Sequence, residues 1–314
     1  MTRLARHEKL AAALADAPDD VLATARPLGT GIGGSTWLLR VDGEPVFVKR
    51  VALTDVERRH EGSTADLYGL PPWYHYGVGS AGFSAWRELE AHLLTSEWAR
   101  TGQCANFPLL HHWRILPGRP RPHTDLAHDV AFWHDDPGVR RRLEALDGAT
   151  TDLVLFIEHL PHGLVEWLDE DPDGIDLAGR DFPAISGFLA GQGVQHFDAH
   201  FANILTDGER LYLTDFGLAA FPGFALSDAE AEFLAEHATH DRAYLLTRLV
   251  NRIVRSHPGD RDRDAFVERH APLAEVVNRF YRALQGTSRK TPYPAEEIAQ
   301  QLVRAGLPAN RSAR

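Results

Sequence analysis

The stretch from Gln195 to Ala219, QHFDAHFANILTDGERLYLTDFGLA, constrains this chain more than any other. It holds two acidic loops separated by a β-hairpin. The first loop is His196 to Asn203, with Asp198 and His200 inside it. Two short apolar runs follow, Ile204-Leu205 and Leu211-Tyr212-Leu213, joined across Asp207-Gly208, a strong hairpin-turn dipeptide. The hairpin then delivers Asp215-Phe216-Gly217. Such a scaffold can bring together three oxygen donors: Asp198, Asn203 and Asp215. Phosphoryl transfer has that need, with one carboxylate to orient an attacking hydroxyl and an amide plus a carboxylate to hold Mg²⁺ on phosphates.

Upstream, Gly29, Gly31 and Gly34 spell G-x-G-x-x-G between two apolar flanks. Glycines let backbone amides approach phosphate oxygens. A dinucleotide fingerprint opens a helix after its last Gly. Here Thr36 to Val41 instead continues as a strand into Asp42-Gly43, a second turn signal, so a β-hairpin is expected. Pro45 to Val51 is the next strand and carries Lys49. Only Lys9, Lys49 and Lys290 are lysines in a chain whose other basic residues are all Arg. A lysine inside an apolar strand therefore asks for a reason.

Residues 52–83, rich in Gly, Pro and aromatics, read as an insertion or ordered loop, with Trp73, Tyr74 and Tyr76 either covering a site or packing. Ser84 caps a helix to about Arg100. Trp86, Leu89, Leu93, Leu94 and Trp98 recur at helical spacing. Glu90 falls within that stripe and Glu88 opposite it, so Glu90 is the expected partner of Lys49, with Glu97 second. Phe107 to Leu116 is a strand. Residues 117–150 form a polar stretch whose arginines read as surface and whose His123, His128 and His134 lack metal-site spacing. Thr151 to Ile157 is a buried strand running into Glu158 and Leu160. Helices are expected from Leu164, over Arg180–Gly191 and 266–284, and over 295–305. A short helix near the start carries Leu4, Leu10, Leu14 and Val21 on one side. The last residues, PANRSAR, are expected to be disordered.

The composition bounds the class. At 44% hydrophobic and 25% charged residues the 314-residue chain reads as a globular protein of two lobes or two domains. No run suits a transmembrane span or a signal-peptide h-region, so a cytoplasmic location is the default expectation with no membrane partner. The single Cys104 excludes an intramolecular disulfide and a cysteine zinc site. The formal charge of −11 argues against a nucleic-acid groove and mildly favours a cationic or neutral partner.

The pattern H-x-D-x-x-x-x-N followed by D-F-G resembles the catalytic and metal loops of the protein-kinase-like superfamily. The resemblance implies an α+β, bilobal fold. Residues 1–160 would form an N-lobe of antiparallel sheet plus a helix C, and residues 161–314 a mainly helical C-lobe, together one domain with ATP between the lobes. It implies that Asp198 accepts the acceptor's proton, that Asn203 and Asp215 hold Mg²⁺, and that Lys49, paired with a helix-C glutamate, holds the α- and β-phosphates under Gly29, Gly31 and Gly34. It also implies Ile157 as gatekeeper, with the Glu158 carbonyl and Leu160 amide at the adenine edge, and Asp241 as a brace for the catalytic loop. Phe197 stands where protein kinases carry Arg, and no A-P-E follows Gly217. His200 makes the loop similar to that of aminoglycoside-phosphotransferase-type small-molecule kinases, either touching the transferred phosphate or supporting the loop. Acidic residues from Asp228 to Glu236 read as a solvated helix face or as the lining for a cationic acceptor. The expected activity is transfer of the ATP γ-phosphate to a small-molecule hydroxyl. An atypical protein Ser/Thr kinase and a nucleotide-binding pseudokinase are the alternatives.

Overall fold

The computed structural model describes residues 1–256 and 261–309. Residues 310–314, most of the tail expected to be disordered, lie outside these. The protein is α+β and forms two compact units. The first comprises Met1–His75, Gly79–Leu160 and Phe216–Leu218; the second comprises Tyr76–Val78, Pro161–Asp215 and Ala219–Arg314. Among the described residues no helix is long and apolar enough to cross a membrane.

The first unit is built on five antiparallel strands: β1 (Arg26–Gly31), β2 (Gly34–Val41), β3 (Glu44–Leu53), β4 (Leu110–Pro117) and β5 (Thr151–Glu158), in the order β1-β2-β3-β5-β4. Side chains alternate between faces along a strand. Val46 and Val48 of β3 and Val154 and Phe156 of β5 point to one face, where Leu10 and Leu14 of α1 (Arg3–Asp16) cover them. Val51 and Leu53, with Leu153, Leu155 and Ile157, point to the other, under Trp86 and Leu89 of α3 (Ala85–Arg100). Burial on both faces explains why β5 is an unbroken apolar run. Lys49 is in phase with Val51 and Leu53, so the strand itself aims it at α3.

The insertion after β3 is ordered. Thr54 caps α2 (Asp55–Arg59) in a capping box with Glu57. The fully buried Glu57 also accepts from the Ala85 amide at 2.8 Å and pairs with Arg142 at 3.0 Å. Arg142 belongs to α5 (Pro137–Asp147), which follows α4 (Leu126–Phe132). Arg142 therefore corrects the reading of the 117–150 arginines as surface residues: it is 2% exposed, because a buried carboxylate on another element requires it. Tyr74 is likewise packed, edge-on to Trp133, and Trp73 stacks on Trp133. Removing one partner of a buried pair strands the other charge, so Arg142→Ala is expected to cost about 3–5 kcal/mol. Exposed Arg119→Ala is expected to change stability by less than about 0.5 kcal/mol, both read from urea melts.

The second unit carries β6 (His162–Gly163), α6 (Leu164–Glu170), α7 (Ile175–Gly191), β7 (Ile204–Thr206), β8 (Leu211–Leu213), α8 (Asp228–Glu236), α9 (His240–Ser256), α10 (Arg261–Gly286) and α11 (Ala295–Arg304). Strands β6, β7 and β8 make a small antiparallel sheet in that order. The β7–β8 connection spans residues 207–210, because Thr206 pairs with Leu211. Asp207 closes it by accepting the Glu209 and Arg210 amides, each at 2.9 Å, and Gly208 takes φ +91°. Helix α7 begins five residues before the expected Arg180.

Candidate active site

In the first unit β1 and β2 pair with Gly31 opposite Gly34, so the glycine motif is a tight hairpin turning at Ile32-Gly33, as its sequence context predicts. Gly34 has φ +128°, and a Cβ there would lie 2.1 Å from the Arg50 carbonyl oxygen. Only glycine fits. A Cβ on Gly33 would sit 3.4 Å from Lys49 Nζ, so the hairpin tip lies against the lysine head.

Lys49 Nζ pairs with Glu88 Oε1 at 2.6 Å, and both side chains are buried, at 7% and 3% exposure. This corrects the expected Lys49–Glu90 pairing. Glu90 is half-buried elsewhere on α3, and Glu97 is exposed and paired with Arg100. The apolar stripe of α3 misleads because it is only partly buried, with Leu93 exposed at 42%. The deeply buried residues of the helix include Glu88, His92, Thr95 and Ala99, small or polar and at helical spacing. Breaking a buried pair strands the other charge, so Glu88→Gln is expected to lower stability clearly in urea melts, with Glu90→Gln near wild type; equal effects would return Glu90 to the pair. Glu158 ends β5, where its carboxylate is held by Arg3 and the Leu109 amide, and half-buried Leu160 is the last residue before the second unit.

In the second unit Asp241, in the first turn of α9, accepts the backbone amides of both His196 and Phe197, the latter at 3.0 Å. Burial alone would raise its carboxyl, but the His240 hydrogen bond, the nearby imidazoles and the His196 amide outweigh burial and hold it below the usual range. This clamp fixes Phe197 at φ +63°, an uncommon conformation for a bulky residue. The Phe197 ring is buried among Phe233, His237 and His240. His196 is neutral: burial lowers its pKa, its Nδ1 accepts from the Asp198 amide at 3.3 Å, and its Nε2–H donates to the Thr214 carbonyl at 3.0 Å.

The loop so held presents Asp198. The Asn203 amide donates to Asp198 Oδ2 and to its carbonyl oxygen, both at 2.9 Å, and His200 Nε2 lies 3.5 Å from Oδ1. Burial, reinforced by Asp215, pushes the Asp198 carboxyl up to about 6, with His200 and Asn203 opposing. Asp215 sits at φ +64°, a strained value of the kind that accumulates at functional sites. The Thr214 amide donates to the Asn203 main-chain carbonyl at 3.0 Å, so Asp215 follows one residue after a direct bond to Asn203, and both side chains carry hard oxygen donors of the kind Mg²⁺ takes. No cluster of three or more His, Cys, Asp or Glu able to hold a metal occurs among the described residues, so such an ion would draw its remaining ligands from water and phosphate.

A short piece of the insertion reaches this loop, which sequence reasoning missed. A Cβ on Gly77 would fall 1.9 Å from Asp198 Oδ1. Gly77 is held by Tyr76, whose hydroxyl donates to His237 Nε2 at 2.6 Å and whose ring packs edge-on to Phe233 and Phe280. In the first unit His75 Nδ1–H donates to the Leu218 carbonyl at 2.8 Å, and Gly82 packs closely on the Gly217 carbonyl. Phe216 is buried beside His92 and Phe107. The residues after Asp215 are thus held by the insertion, in a chain whose sequence lacks a long segment there. No protein-family model and no curated protein sequence matches this chain.

Proposed function

We propose that the protein is an ATP- and Mg²⁺-dependent phosphotransferase with a small-molecule hydroxyl as acceptor. The observation that carries this reading is Asp198: a half-buried carboxylate with a pKa near 6, held by Asn203 and acted on by the charge of Asp215, itself at a strained φ of +64°. A base poised close to neutrality matches proton abstraction from an alcohol. Asp198 takes the acceptor's hydroxyl proton as the oxygen bonds to the γ-phosphorus and the bond to ADP breaks, its electron pair leaving on ADP. Asn203 keeps the carboxylate aimed. Asn203 and Asp215 would hold Mg²⁺, which supplies neutralisation of phosphate charge. Lys49, positioned by Glu88, binds phosphate oxygens beneath the glycine hairpin.

The choice of a small-molecule acceptor is supported by Phe197, which fills an aromatic nest, and by the short segment after Gly217, held internally by His75 and Gly82. Neither leaves a role for a phosphorylated activation segment. ADP release from Mg-ATP, measured against aminoglycosides, hydroxylated metabolites and generic protein substrates, tests the reading. Turnover with a small molecule is expected. Labelling of proteins alone would overturn it.

A further inference from the structure

The second unit contains a cavity of about 210 Å³ between α9 and α10, lined by Tyr244, Thr247 and Arg248 from one helix and Asn278, Tyr281 and Arg282 from the other. Its charge is unlike that of the chain. The sequence carries a formal charge of −11, yet two guanidinium groups and no carboxylate line this cavity. Neighbouring arginines on the same two helices meet an acid: Arg279 pairs with Glu297 at 2.6 Å and Arg252 with Asp169 at 2.8 Å. Among the described residues Arg248 and Arg282 have no acidic partner, and Arg248 lies over the Tyr244 ring at 5.9 Å. The cavity also holds a buried hydroxyl, Thr247 Oγ1, without a hydrogen-bond partner.

The cavity wall is continuous with the support of the catalytic loop. Tyr281 OH is 2.8 Å from His240 Nε2, and His240 Nδ1 is 3.0 Å from Asp241, the residue that fixes His196 and Phe197. Tyr244 stacks on His240 with ring centroids 5.8 Å apart. Burial raises both tyrosine hydroxyls, with the Asp198 charge a smaller contribution in the same direction.

We propose that this cavity binds the acceptor and that the acceptor is a small hydroxylated anion, a carboxylate or phosphate monoester whose charge rests on Arg248 and Arg282. Arginine suits such groups because its planar fork matches their paired oxygens. The volume falls below the about 300–1,000 Å³ of pockets that take drug-sized ligands, which favours a compound of a few carbons over a multi-ring aminoglycoside. The proposal rests on the phosphotransferase reading for its acceptor role, and reverses the cationic preference suggested by net charge.

Calorimetry on the full chain carrying Asp198→Asn, without nucleotide, separates the two. The probes are D-glycerate, 3-phosphoglycerate and glucose 6-phosphate, against kanamycin and choline. Saturable binding of at least one anionic probe is expected. Arg248→Gln with Arg282→Ala should weaken it at least tenfold, while Arg279→Ala, one turn earlier on α10, should not. No binding by any anionic probe at millimolar concentration, or binding indifferent to the arginine pair, overturns the inference. ATP-dependent turnover of kanamycin or choline with the anions ignored would also overturn it, leaving the phosphotransferase reading intact. Anion binding in a chain that proves unable to use ATP would do the reverse.

Discussion

Asp198→Asn is expected to lower phosphotransfer by about 10²–10⁴-fold while raising the melting temperature. The two effects share one cause. Burial holds the Asp198 carboxyl at about 6, against an ordinary value of 3.8, and its side chain is only 20% exposed. The folded state therefore binds this proton more tightly than the unfolded chain does. As pH rises from about 4 through 6 the folded state is progressively penalised, and above about 6 the full cost is present, on the order of 1–3 kcal/mol. Asparagine cannot ionise and removes that cost. The gain in melting temperature should therefore be largest at pH 7–8 and fade below pH 4. In the wild type, turnover should fall as pH drops through about 6, as the base becomes protonated. A variant less stable than wild type at pH 7.5 would count against a destabilised carboxylate at this position.

Gly77→Ala is the second large effect. The backbone at Gly77 is not in the left-handed region, so the whole consequence comes from the methyl group, which would lie 1.9 Å from Asp198 Oδ1 and 2.6 Å from its Cγ. Retreat of the segment would pull the buried Tyr76 out of its aromatic nest and break its hydrogen bond to His237. Movement of Asp198 would cost its bond from Asn203. A displacement near 1 Å at a reacting group can cost about 10² in rate, whereas overpacking costs about 1–3 kcal/mol. The expected result is a turnover loss of about 10²-fold in a protein that still folds. Gly179→Ala in α7, where a Cβ meets nothing within 4 Å, should leave turnover unchanged. Wild-type turnover in Gly77→Ala would mean that Asp198 tolerates displacement and is not the base.

The legible parts of this protein are those governed by short-range rules. The rarity of lysine and its place within an apolar run singled out Lys49 in β3, and the strand context of Gly29 to Gly34 distinguished a hairpin from a helix opening. The loop at Asp198 and Asn203 was readable because its donors lie five residues apart on one short loop. Helix α3 defeated the same logic. Its apolar stripe is only partly buried and lies off the face that carries His92, Thr95 and Ala99, so hydrophobic phase pointed to Glu90, and only β3 packing against the helix selects Glu88. Contacts across long stretches of sequence left no local trace. Glu57 and Arg142 are separated by 85 positions and Gly77 and Asp198 by 121, and no periodicity links either pair. The basic cavity was hidden for a related reason, since Arg248 and Arg282 look like ordinary helix-surface arginines until α9 and α10 are packed together.

The most direct test of the phosphotransferase reading is ADP release from Mg-ATP by the wild type, Asp198→Asn and Asp215→Asn, over pH 5–8 and with the responding acceptor present. The expected result is Mg²⁺-dependent turnover in the wild type that declines below about pH 6, with loss of about 10²-fold or more in each variant. Turnover that survives both substitutions, or that proceeds unchanged when Mg²⁺ is chelated, would contradict it.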